Sequence, residues 1–526
     1  MNTLREKLYQ TDDFLFGIEL VSSRGTMNDT TSLRTRQLAN DLLSCPQTDW
    51  VSITDNPGGN PMLAPSSLGK PLLYGGMEVI IHLSCKDNNR NGIESESWHL
   101  ASEGFHNILT LSGDAPIGGA EGVAKPVFDI DSVGLLTLLG KMNKGLAAPG
   151  GKKKPKGRLN PTKFFLGAVV TNFKVHENEV IPQYLKLKKK IECGAQFIIN
   201  QIGYDSRKIH ELVCYMEMEK LSSVPLIGNV FVLTGGVAKV FNADRIPGVV
   251  VSDELLEVCK KEAGSPDKGK AFFVDLAAKQ VAIYRGLGYR GAYLGGVHNY
   301  KDISRIYEIE KSFGADDWKT FARELLYSRP NEFYMLAEDR ETGLSVPGKL
   351  DEAYEASLLK RKPTRNVTLG YRLAKRMHDT MFVPGTVISN WGSRRCTQSK
   401  DSYQGPGWMR ALEKVSKAAI FSCKDCGDCS LPDIAFLCPE SQCAKNQRNG
   451  PCGGTRNGLC EVTDKECIWA RAYDRRKYEG SEMDLLAHAP VIQNQGLRDT
   501  SSWANTWLQR DHHGKKLLKL SEKESD

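Results

Sequence analysis

The stretch YLKLKKKIECGAQFIINQIGYD, residues 184–205, contains the unit from which the fold can be predicted. Its first half continues a segment, IPQYLKLKKKIE at 181–192, in which apolar residues recur at helical spacing. Its second half, FIINQIGY at 197–204, is a short apolar run rich in isoleucine and typical of a buried parallel strand. A helix that leads into such a strand predicts one repeat of an α/β fold.

Seven more apolar runs of this kind alternate with helical segments up to residue 300 or so. They are FLFGIEL (14–20), DWVSITD (49–55), MEVIIHLSC (77–85), NILTLSGD (107–114), FFLGAVV (164–170), VPLIGNVFVL (224–233) and GAYLGGV (291–297). Eight strands that alternate with helices predict a (β/α)8 TIM barrel. The alternative is a doubly wound open sheet, which usually carries a glycine-rich phosphate turn after its first strand, and ELVSSRG lacks that pattern.

The character of the chain changes after the eighth strand. We expect a barrel over residues 1–302, a helical extension over 303–415, a cysteine-rich metal-binding module over 416–480 and a charged tail over 481–526. The basic segment GLAAPGGKKKPKGRLNPTK, at 145–163, predicts a surface loop between strands four and five. A lid or an anion-attracting loop is the alternative for this segment.

The composition excludes several classes of protein. The 526 residues carry a net charge of +7 without a basic helix or an RNA-binding signature, so no nucleic-acid partner is predicted. No run approaches ~18 consecutive apolar residues, and MNTLREKLYQTDDF at the start has no apolar core. We therefore expect a cytoplasmic protein without a membrane span. Fourteen cysteines in that compartment argue against disulfides.

Polar residues follow the apolar runs at the strand ends where barrel active sites are built. Glu19 lies in the apolar sequence FGIEL, and its burial there would raise the pKa of the carboxyl group, which suits a general acid. Asp114 follows a glycine in LTLSGDAP, and Gln201 follows FIIN. The other polar residues at these ends are Thr54, Asp55, His82, Ser84, Thr171 and Asn172. Two carboxylates also suit glycoside hydrolysis, but that function lacks a sugar-stacking Trp near these ends and leaves the cysteines unexplained.

Eight cysteines lie between residues 423 and 467 with the spacing C-x2-C-x2-C-x8-C-x4-C-x8-C-x7-C-x6-C. They are Cys423, Cys426, Cys429, Cys438, Cys443, Cys452, Cys460 and Cys467. The first three resemble the start of a [4Fe–4S] ferredoxin run, and Cys438 is followed by proline, as the remote ligand of such runs often is. Eight thiolates fit two [4Fe–4S] clusters, two zinc sites or one of each. Electron transfer would favour clusters, because zinc is redox-inert.

The first 300 residues resemble the methylenetetrahydrofolate reductase family. The matching segments are Glu19 on strand one, VSITDNPGG, IIHLSCKDNNR, LTLSGDAP and the opening stretch at 184–205. The resemblance implies a (β/α)8 barrel with a flavin, FAD or FMN, across the strand ends. It also implies the reversible reduction of 5,10-methylenetetrahydrofolate to 5-methyltetrahydrofolate by hydride transfer.

The cysteine-rich segment is similar to a module found with methylenetetrahydrofolate reductases of anaerobes. The matching text is CKDCGDCSLPDIAFLCP, NGPCGGTRNGLCEV and CIWARAYDRR. This similarity implies iron–sulfur clusters, with zinc as the alternative, and an electron donor such as ferredoxin or a partner oxidoreductase subunit. NAD(P)H is the second candidate for the electron donor. We also expect an oligomer.

Residue by residue, the family resemblance makes Glu19 the general acid, Asp114 a carboxylate near the pterin and the flavin, and Gln201 a pterin-binding amide. The positions that line or support the family's flavin site are Thr54, His82, Ser112, Gly113, Lys189, Lys190 and Ala195. The two lysines would pair with flavin phosphates.

The chain also departs from the family. Leu-Val-Ser-Ser follows Glu19 in place of an aromatic-Pro-Pro segment, and GAVVTNFK lacks the usual Tyr and His after strand five. Lys186 replaces an Asn. These departures weaken the adenine end of an FAD site, and they leave open FMN, loosely held FAD or a flavin on a partner subunit.

Two other functions stay open from the sequence. One is a folate-binding methyl-transfer component without hydride chemistry, in which Glu19 only orients the substrate. The other is a non-catalytic assembly subunit in which zinc holds the module together. The joint presence of Glu19, Asp114 and Gln201 argues against the second function.

Overall fold

The computed structural model of the protein describes residues 2–148 and 157–514. Within these residues, eight parallel strands close into a barrel, each hydrogen-bonded to the next and the eighth to the first. They are β1 (Leu15–Leu20), β2 (Trp50–Ile53), β3 (Glu78–Ser84), β4 (Asn107–Leu111), β5 (Phe165–Val170), β6 (Phe197–Asn200), β7 (Leu226–Phe231) and β8 (Gly291–Gly295). The predicted barrel is therefore confirmed.

Helices connect the strands. They are α1 (Leu4–Gln10), α2 (Thr30–Leu43), α3 (Pro65–Tyr74), α4 (Arg90–Glu103), α5 (Ser132–Met142), α6 (Glu177–Glu192), α7 (Ser206–Met218), α8 (Gly235–Asn242), α9 (Asp253–Glu262), α10 (Lys270–Gly286) and α11 (Tyr300–Ser312). None of the described helices combines the length and the hydrophobicity that a membrane span requires.

The barrel interior is filled by large side chains, so it is a packed core and not a pore. Its residues are Leu4, Leu8, Leu15, Trp50, Ile80, Leu109, Phe165, Phe197, Ile199, Ile227 and Tyr293. Leu4 and Leu8 belong to α1, which closes the amino-terminal end of the barrel. A Cβ at Gly17 would lie 2.0 Å from the Trp50 ring, so glycine on β1 leaves room for the indole. The carboxyl-terminal end is thus left as the open end.

The chain after the barrel is helical and rich in cysteine, as predicted. Its helices are α12 (Asp317–Glu324), α13 (Glu352–Leu359), α14 (Leu369–Met381), α15 (Val387–Thr397), α16 (Gly407–Phe421), α17 (Pro439–Gln442), α18 (Ile468–Glu479) and α19 (Ser502–Trp507). Its strands are β9 (Leu336–Glu338), β10 (Ser345–Leu350), β11 (Thr455–Arg456) and β12 (Leu459–Cys460).

The β9–β10 hairpin is a feature that helical periodicity did not predict. Its turn is built by Asp339, whose carboxylate accepts hydrogen bonds from the backbone N–H groups of Glu341 and Thr342. Gly343 completes the turn with a φ of 72°, which glycine adopts easily. β10 then packs against α7 of the barrel.

Residues 481–514 pack against the module, whereas the sequence predicted a charged tail from residue 481 onward. Ser502, Asn505, Asp511 and His512 are all buried. The rest of the predicted tail, 515–526, lies outside the described residues. So does 149–156 of the basic loop, although its two flanks meet in an antiparallel bridge between Ala147 and Arg158.

The module is anchored to the barrel at Asp131, the N-cap of α5. The Asp131 carboxylate accepts hydrogen bonds from the backbone N–H groups of Arg448, at 3.2 Å, and Asn449, at 2.8 Å. The Asn449 side-chain amide donates a further bond at 3.0 Å. All three residues are buried, and an ionised acceptor makes such bonds stronger than neutral ones.

Replacing Asp131 with Ala should loosen this anchor. The buried N–H groups of Arg448 and Asn449 lose their acceptor, which costs about 3 kcal/mol in total. We expect faster amide hydrogen exchange across 447–452. The matched control is D351A, which removes the N-cap of α13 at a half-buried site and should cost only about 1 kcal/mol, without effect on the module. Equal exchange in both variants would contradict the anchor.

Candidate active site

A cavity of about 270 Å³ opens at the carboxyl-terminal ends of the barrel strands. This volume lies at the lower end of the range for small-molecule sites. The barrel contributes Glu19, Thr54, Asp55, His82, Ser84, Ser112, Gly113, Asp114, Thr171, Gln183, Lys186, Lys190, Gln201, Asn229 and Tyr293, among others. The module contributes Lys445, Cys452, Gly453, Gly454 and Glu461 to the same wall. The site is therefore shared between the two parts of the chain.

Glu19 lies on β1 and faces this cavity. Burial raises the pKa of its carboxyl group, and a hydrogen bond from Tyr293 lowers it by a smaller amount. The Tyr293 hydroxyl on β8 donates to Glu19 Oε1 at 3.1 Å. A Cβ at Gly295 would lie 2.7 Å from Glu19 Oε2, so the glycine leaves space for the carboxyl group. This arrangement favours the neutral, protonated form of the Glu19 carboxyl group.

A second hydrogen-bonded pair lies on the neighbouring strands. Ser52 Oγ is 2.8 Å from His82 Nε2, and the Tyr293 hydroxyl also interacts with Ser52. Burial lowers the pKa of His82 to about 4, so its imidazole is neutral near pH 7. These contacts link β1, β2, β3 and β8, and they hold Tyr293 in place beside Glu19.

Asp114 and Gln201 lie on the rim of the cavity. The backbone N–H of Gly58 donates to Asp114 Oδ2 at 3.0 Å, which ties the β4 turn to the loop after β2. Gln201 Oε1 accepts a hydrogen bond from the backbone N–H of Ile202 at 2.9 Å. The Gln201 amide nitrogen therefore remains available as a donor toward the cavity, which it lines.

Buried lysines of the barrel hold the glycine-rich loop of the module over the mouth. Lys174 Nζ donates to the carbonyl oxygens of Gly453 and Thr455, both at 2.6 Å. Lys186 Nζ donates to the carbonyl oxygen of Pro451 at 2.9 Å and to that of Gly450 at 3.2 Å. Desolvation lowers the pKa of both lysines, and the thiol of Cys452 opposes this shift when it ionises.

The module also binds the turn that follows β4. Lys445 Nζ donates to the carbonyl oxygen of Gly113 at 2.8 Å and forms an ion pair with Glu461. Both side chains of the ion pair are 5% exposed. A buried pair of this kind is costly to break, because each charge left alone would be unsolvated.

The eight cysteines fall into two groups of four that follow chain order. Cys423, Cys426, Cys429 and Cys438 line one recess, which we call quartet A. Cys443, Cys452, Cys460 and Cys467 interact with one another electrostatically and form quartet B. Only α17 separates Cys438 from Cys443, and five residues of helix span roughly 7.5 Å. Quartet B reaches the barrel cavity through Cys452.

The thiols of both quartets lie in a desolvated environment. Burial raises the pKa of Cys423 to about 11 and that of Cys443 to about 12. A thiol with such a pKa is ionised at neutral pH only beside a strong positive charge, and a bound metal ion supplies one. Backbone N–H groups already point at the sulfurs, with Asp425 N 3.4 Å from Cys423 Sγ and Gly454 N 3.5 Å from Cys452 Sγ.

The structure brings most of the predicted barrel residues together. The cavity is lined by Glu19, Thr54, His82, Ser112, Gly113, Asp114, Lys190 and Gln201. Two predicted residues lie elsewhere. Ala195 precedes β6 at the opposite end of the barrel, and Lys189 Nζ donates to the carbonyl oxygens of Leu486, at 3.1 Å, and His488, at 2.7 Å.

Several residues in or beside the cavity were not singled out from the sequence. Tyr293 lies inside an apolar run, where an aromatic residue is typical of core packing, and only its closeness to Glu19 in space gives it a role. Lys174 and Lys445 form contacts between parts of the chain about 280 and 330 residues apart. Sequence spacing carries no signal for contacts of that separation.

The fold and this site define a class: a barrel enzyme whose cavity is closed by a cysteine-rich module. The family model described as methylenetetrahydrofolate reductase matches residues 6–308, and the model described as methylene-tetrahydrofolate reductase C terminal matches residues 408–495. The chain belongs to the methylenetetrahydrofolate reductase family. It is a methylenetetrahydrofolate reductase-like enzyme, as the sequence resemblance implied.

Solved structures with a similar barrel are distant in sequence. One is an uncharacterized protein from Clostridium thermocellum that binds two copies of 5-methyl-5,6,7,8-tetrahydrofolic acid, with 13% identity and a TM-score of 0.40 over 59% of this chain and 97% of that chain. Another is 2,3-dimethylmalate lyase, with 10% identity and a TM-score of 0.32 over 59% and 85%. A third is oxaloacetate acetylhydrolase, with 11% identity and a TM-score of 0.33 over 58% and 83%.

Proposed function

We propose that this protein reduces 5,10-methylenetetrahydrofolate to 5-methyltetrahydrofolate with electrons that reach the barrel through the cysteine-rich module. The reaction is reversible. One observation carries the proposal: Cys452 of quartet B and Glu19 of the barrel line the same cavity. A redox group held by quartet B would therefore lie beside the site where the folate is protonated.

The spacing of the sulfurs supports iron–sulfur clusters over zinc. Among the described residues, no three cysteine sulfurs lie within 4.8 Å of one another. Four thiolates around one zinc ion, each at ~2.3 Å, would lie ~3.8 Å apart. In a [4Fe–4S] cluster each thiolate binds a different iron, which requires wider spacing. We therefore propose one [4Fe–4S] cluster in each quartet.

Buried cations beside both quartets fit the same proposal. Lys417 Nζ lies 3.4 Å from Cys429 Sγ in quartet A. Lys174, Lys186 and Lys445 all interact electrostatically with Cys452 in quartet B. A [4Fe–4S] cluster with four thiolates carries a net negative charge, which nearby cations and hydrogen bonds stabilise on reduction.

The cavity fits a flavin ring better than a whole dinucleotide. Thr54 Oγ1 and Gln183 Nε2 are buried at the cavity without a hydrogen-bond partner among the described residues, and they match the polar edge of such a ring. Lys186 Nζ donates to a carbonyl oxygen of the module and Lys189 Nζ to one of the segment after it, so neither ammonium group is free to bind a diphosphate. Lys190 also lines the cavity, where it donates to the carbonyl oxygen of Val169, and burial lowers its pKa to about 7. We propose FMN rather than FAD, and a bound flavin would supply the hydride.

The chain's own residues bind the substrate and move its proton. Glu19 donates a proton to the folate nitrogen as the methylene bridge opens to an iminium ion, because its raised pKa keeps the proton available near neutral pH. The Asp114 carboxylate accepts hydrogen bonds from the pterin edge, and the Gln201 amide nitrogen donates one to it. The module loop at 450–454 covers the mouth and excludes water from the reacting atoms.

Replacing Tyr293 with Phe should shift the pH dependence of turnover. The Tyr293 hydrogen bond lowers the Glu19 pKa, so its loss raises that pKa further. A bond worth 0.5–1.5 kcal/mol corresponds to about 0.5–1 pH unit. Because Glu19 acts in its protonated form, the alkaline fall in kcat should move to higher pH by that amount. The control is Y184F, which removes the hydroxyl that donates to the buried Glu211 outside the cavity and should leave the pH profile unchanged. An unchanged profile in Y293F would count against Glu19 as the acid.

The electron donor would dock beside quartet A. A groove next to Cys429 is lined by apolar side chains, including Leu373, Ile420 and Trp503. Leu373 and Ile420 are both 62% exposed. The surrounding segment 369–421 carries nine Lys and Arg against three Asp and Glu. An acidic, low-potential carrier of the ferredoxin type fits this surface, and a partner oxidoreductase subunit is the second candidate.

Metal and flavin content of anaerobically purified protein tests this proposal. We expect about eight irons per chain, a broad absorption near ~400 nm that bleaches on reduction, and folate reduction with a low-potential donor. About two zinc ions and no iron would overturn the electron route and leave the module a structural element. We propose a reducing compartment such as the cytoplasm for the protein, because cluster assembly needs reduced thiols.

A further inference from the structure

A cluster of histidines and carboxylates lies next to quartet A and contains no cysteine. Asp433 lies between Cys429 and Cys438 of quartet A, and His512 and His513 follow α19. His512 Nε2 lies 2.8 Å from Asp433 Oδ2, and His513 Nε2 lies 3.3 Å from Asp433 Oδ1. Asp433 and His512 are buried, and the His513 side chain is 32% exposed. One ligand atom from each of the three residues lies within 4.8 Å of the other two.

We propose that Asp433, His512 and His513 bind a divalent transition-metal ion of the zinc type. Two imidazole nitrogens and one carboxylate oxygen form a ligand set that suits zinc and leaves a fourth position open. Tetrahedral bonds of ~2.1 Å place neighbouring ligand atoms ~3.4 Å apart, close to the separations observed here. The set contains no thiolate, so it is chemically distinct from the two quartets.

The Nδ1 atoms of both rings face carboxylates, and this orients the Nε2 atoms for metal binding. His512 Nδ1 lies 2.5 Å from Asp428 Oδ1, and His513 Nδ1 lies 3.4 Å from Asp511 Oδ2. A carboxylate at Nδ1 keeps the proton there and turns the Nε2 lone pair toward the ion. Both rings use this arrangement, and both Nε2 atoms point to the same carboxylate.

His488 lies near the cluster but outside the group of three ligand atoms. Its Nε2 is buried without a hydrogen-bond partner among the described residues, and His488 interacts electrostatically with Asp433 and His512. Its Nδ1 faces Lys189 Nζ at 3.2 Å. The ion would thus join the carboxyl-terminal segment to the loop of quartet A, because Asp428 lies between Cys426 and Cys429.

Cobalt titration of the full-length protein tests the site. Protein purified anaerobically is dialysed against EDTA, which strips ions held by nitrogen and oxygen ligands, and is then titrated with Co²⁺. We expect one equivalent to bind with weak visible ligand-field bands and without the intense near-ultraviolet bands of cobalt–thiolate bonds. Zn²⁺ should displace it. No saturable binding, or binding with thiolate bands only, would overturn the proposal.

Two variants and one control complete the test. H513Q removes a ligand at the most exposed position and should abolish the cobalt equivalent, whereas H99Q, at an exposed histidine on α4, should bind as the parent protein does. D511N leaves the three ligands in place and should weaken binding by about 10–100-fold. If H513Q fails to fold, D511N decides the question. Parent-like binding by D511N together with parent-like binding or misfolding of H513Q contradicts the site.

Discussion

Replacing Glu19 with Gln should lower the kcat of folate reduction by about 10³-fold, within the range that general acid catalysis contributes. The amide keeps the shape of the side chain and its hydrogen bond with Tyr293, but it carries no proton of suitable acidity. The affinity for the folate should change by less than about threefold, because binding rests on Asp114, Gln201 and the cavity wall. Steady-state kinetics and isothermal titration with 5-methyltetrahydrofolate measure the two quantities separately.

The matched control for this variant is E121Q, at an exposed glutamate outside the cavity, which should keep parent activity. A second signature is the pH profile of the parent enzyme. Its kcat should fall as the pH rises through the raised pKa of Glu19, since the acid is lost on ionisation. If E19Q kept more than a tenth of the activity, Glu19 would only orient the substrate, as in a methyl-transfer component.

Replacing Cys452 with Ser should separate the two halves of the reaction. Loss of one ligand in quartet B should remove about four of about eight irons and leave quartet A, whose cysteines line a different recess. Reduction of the folate by an external low-potential donor should fall by more than 100-fold, because changes around a metal's ligands alone already cost 10–100-fold. Folate binding by the barrel should persist.

The control for the cysteine variant is C193S, which changes a half-buried cysteine at the end of α6 that belongs to neither quartet. It should keep the full iron content and activity. Iron analysis, the absorbance near ~400 nm and donor-driven turnover are measured on the same samples. Donor-driven turnover that survived in C452S would show that electrons enter the barrel by another route.

The barrel was predictable because each of its strands can be recognised from a short, continuous stretch of sequence. Each buried strand is an apolar run bounded by turn residues, and Glu19, Asp114 and Gln201 follow such runs directly. The carboxyl ends of parallel strands meet at one end of a barrel. The order of the apolar runs therefore predicted that these three side chains lie close together.

The closure of the site by the module was not predictable from the sequence. Lys189 and Lys190 were assigned to flavin phosphates from the family resemblance, yet Lys189 donates to the backbone carbonyl oxygens of Leu486 and His488, and Lys190 donates to that of Val169. A lysine donates equally well to a phosphate and to a carbonyl oxygen, so residue type alone does not distinguish the two. The buried His512 lies in a segment that the sequence predicted only as a charged tail. Its burial depends on Asp428 and Asp433, which are 84 and 79 residues away.

The central claim is that electrons pass from the module to the folate within one chain. The most direct test is a single turnover: protein reduced anaerobically and freed of donor is mixed with 5,10-methylenetetrahydrofolate. We predict that the absorbance near ~400 nm recovers as one 5-methyltetrahydrofolate forms for every two electrons lost. Recovery without product, product without recovery, or a protein whose cysteines hold only zinc would contradict the account.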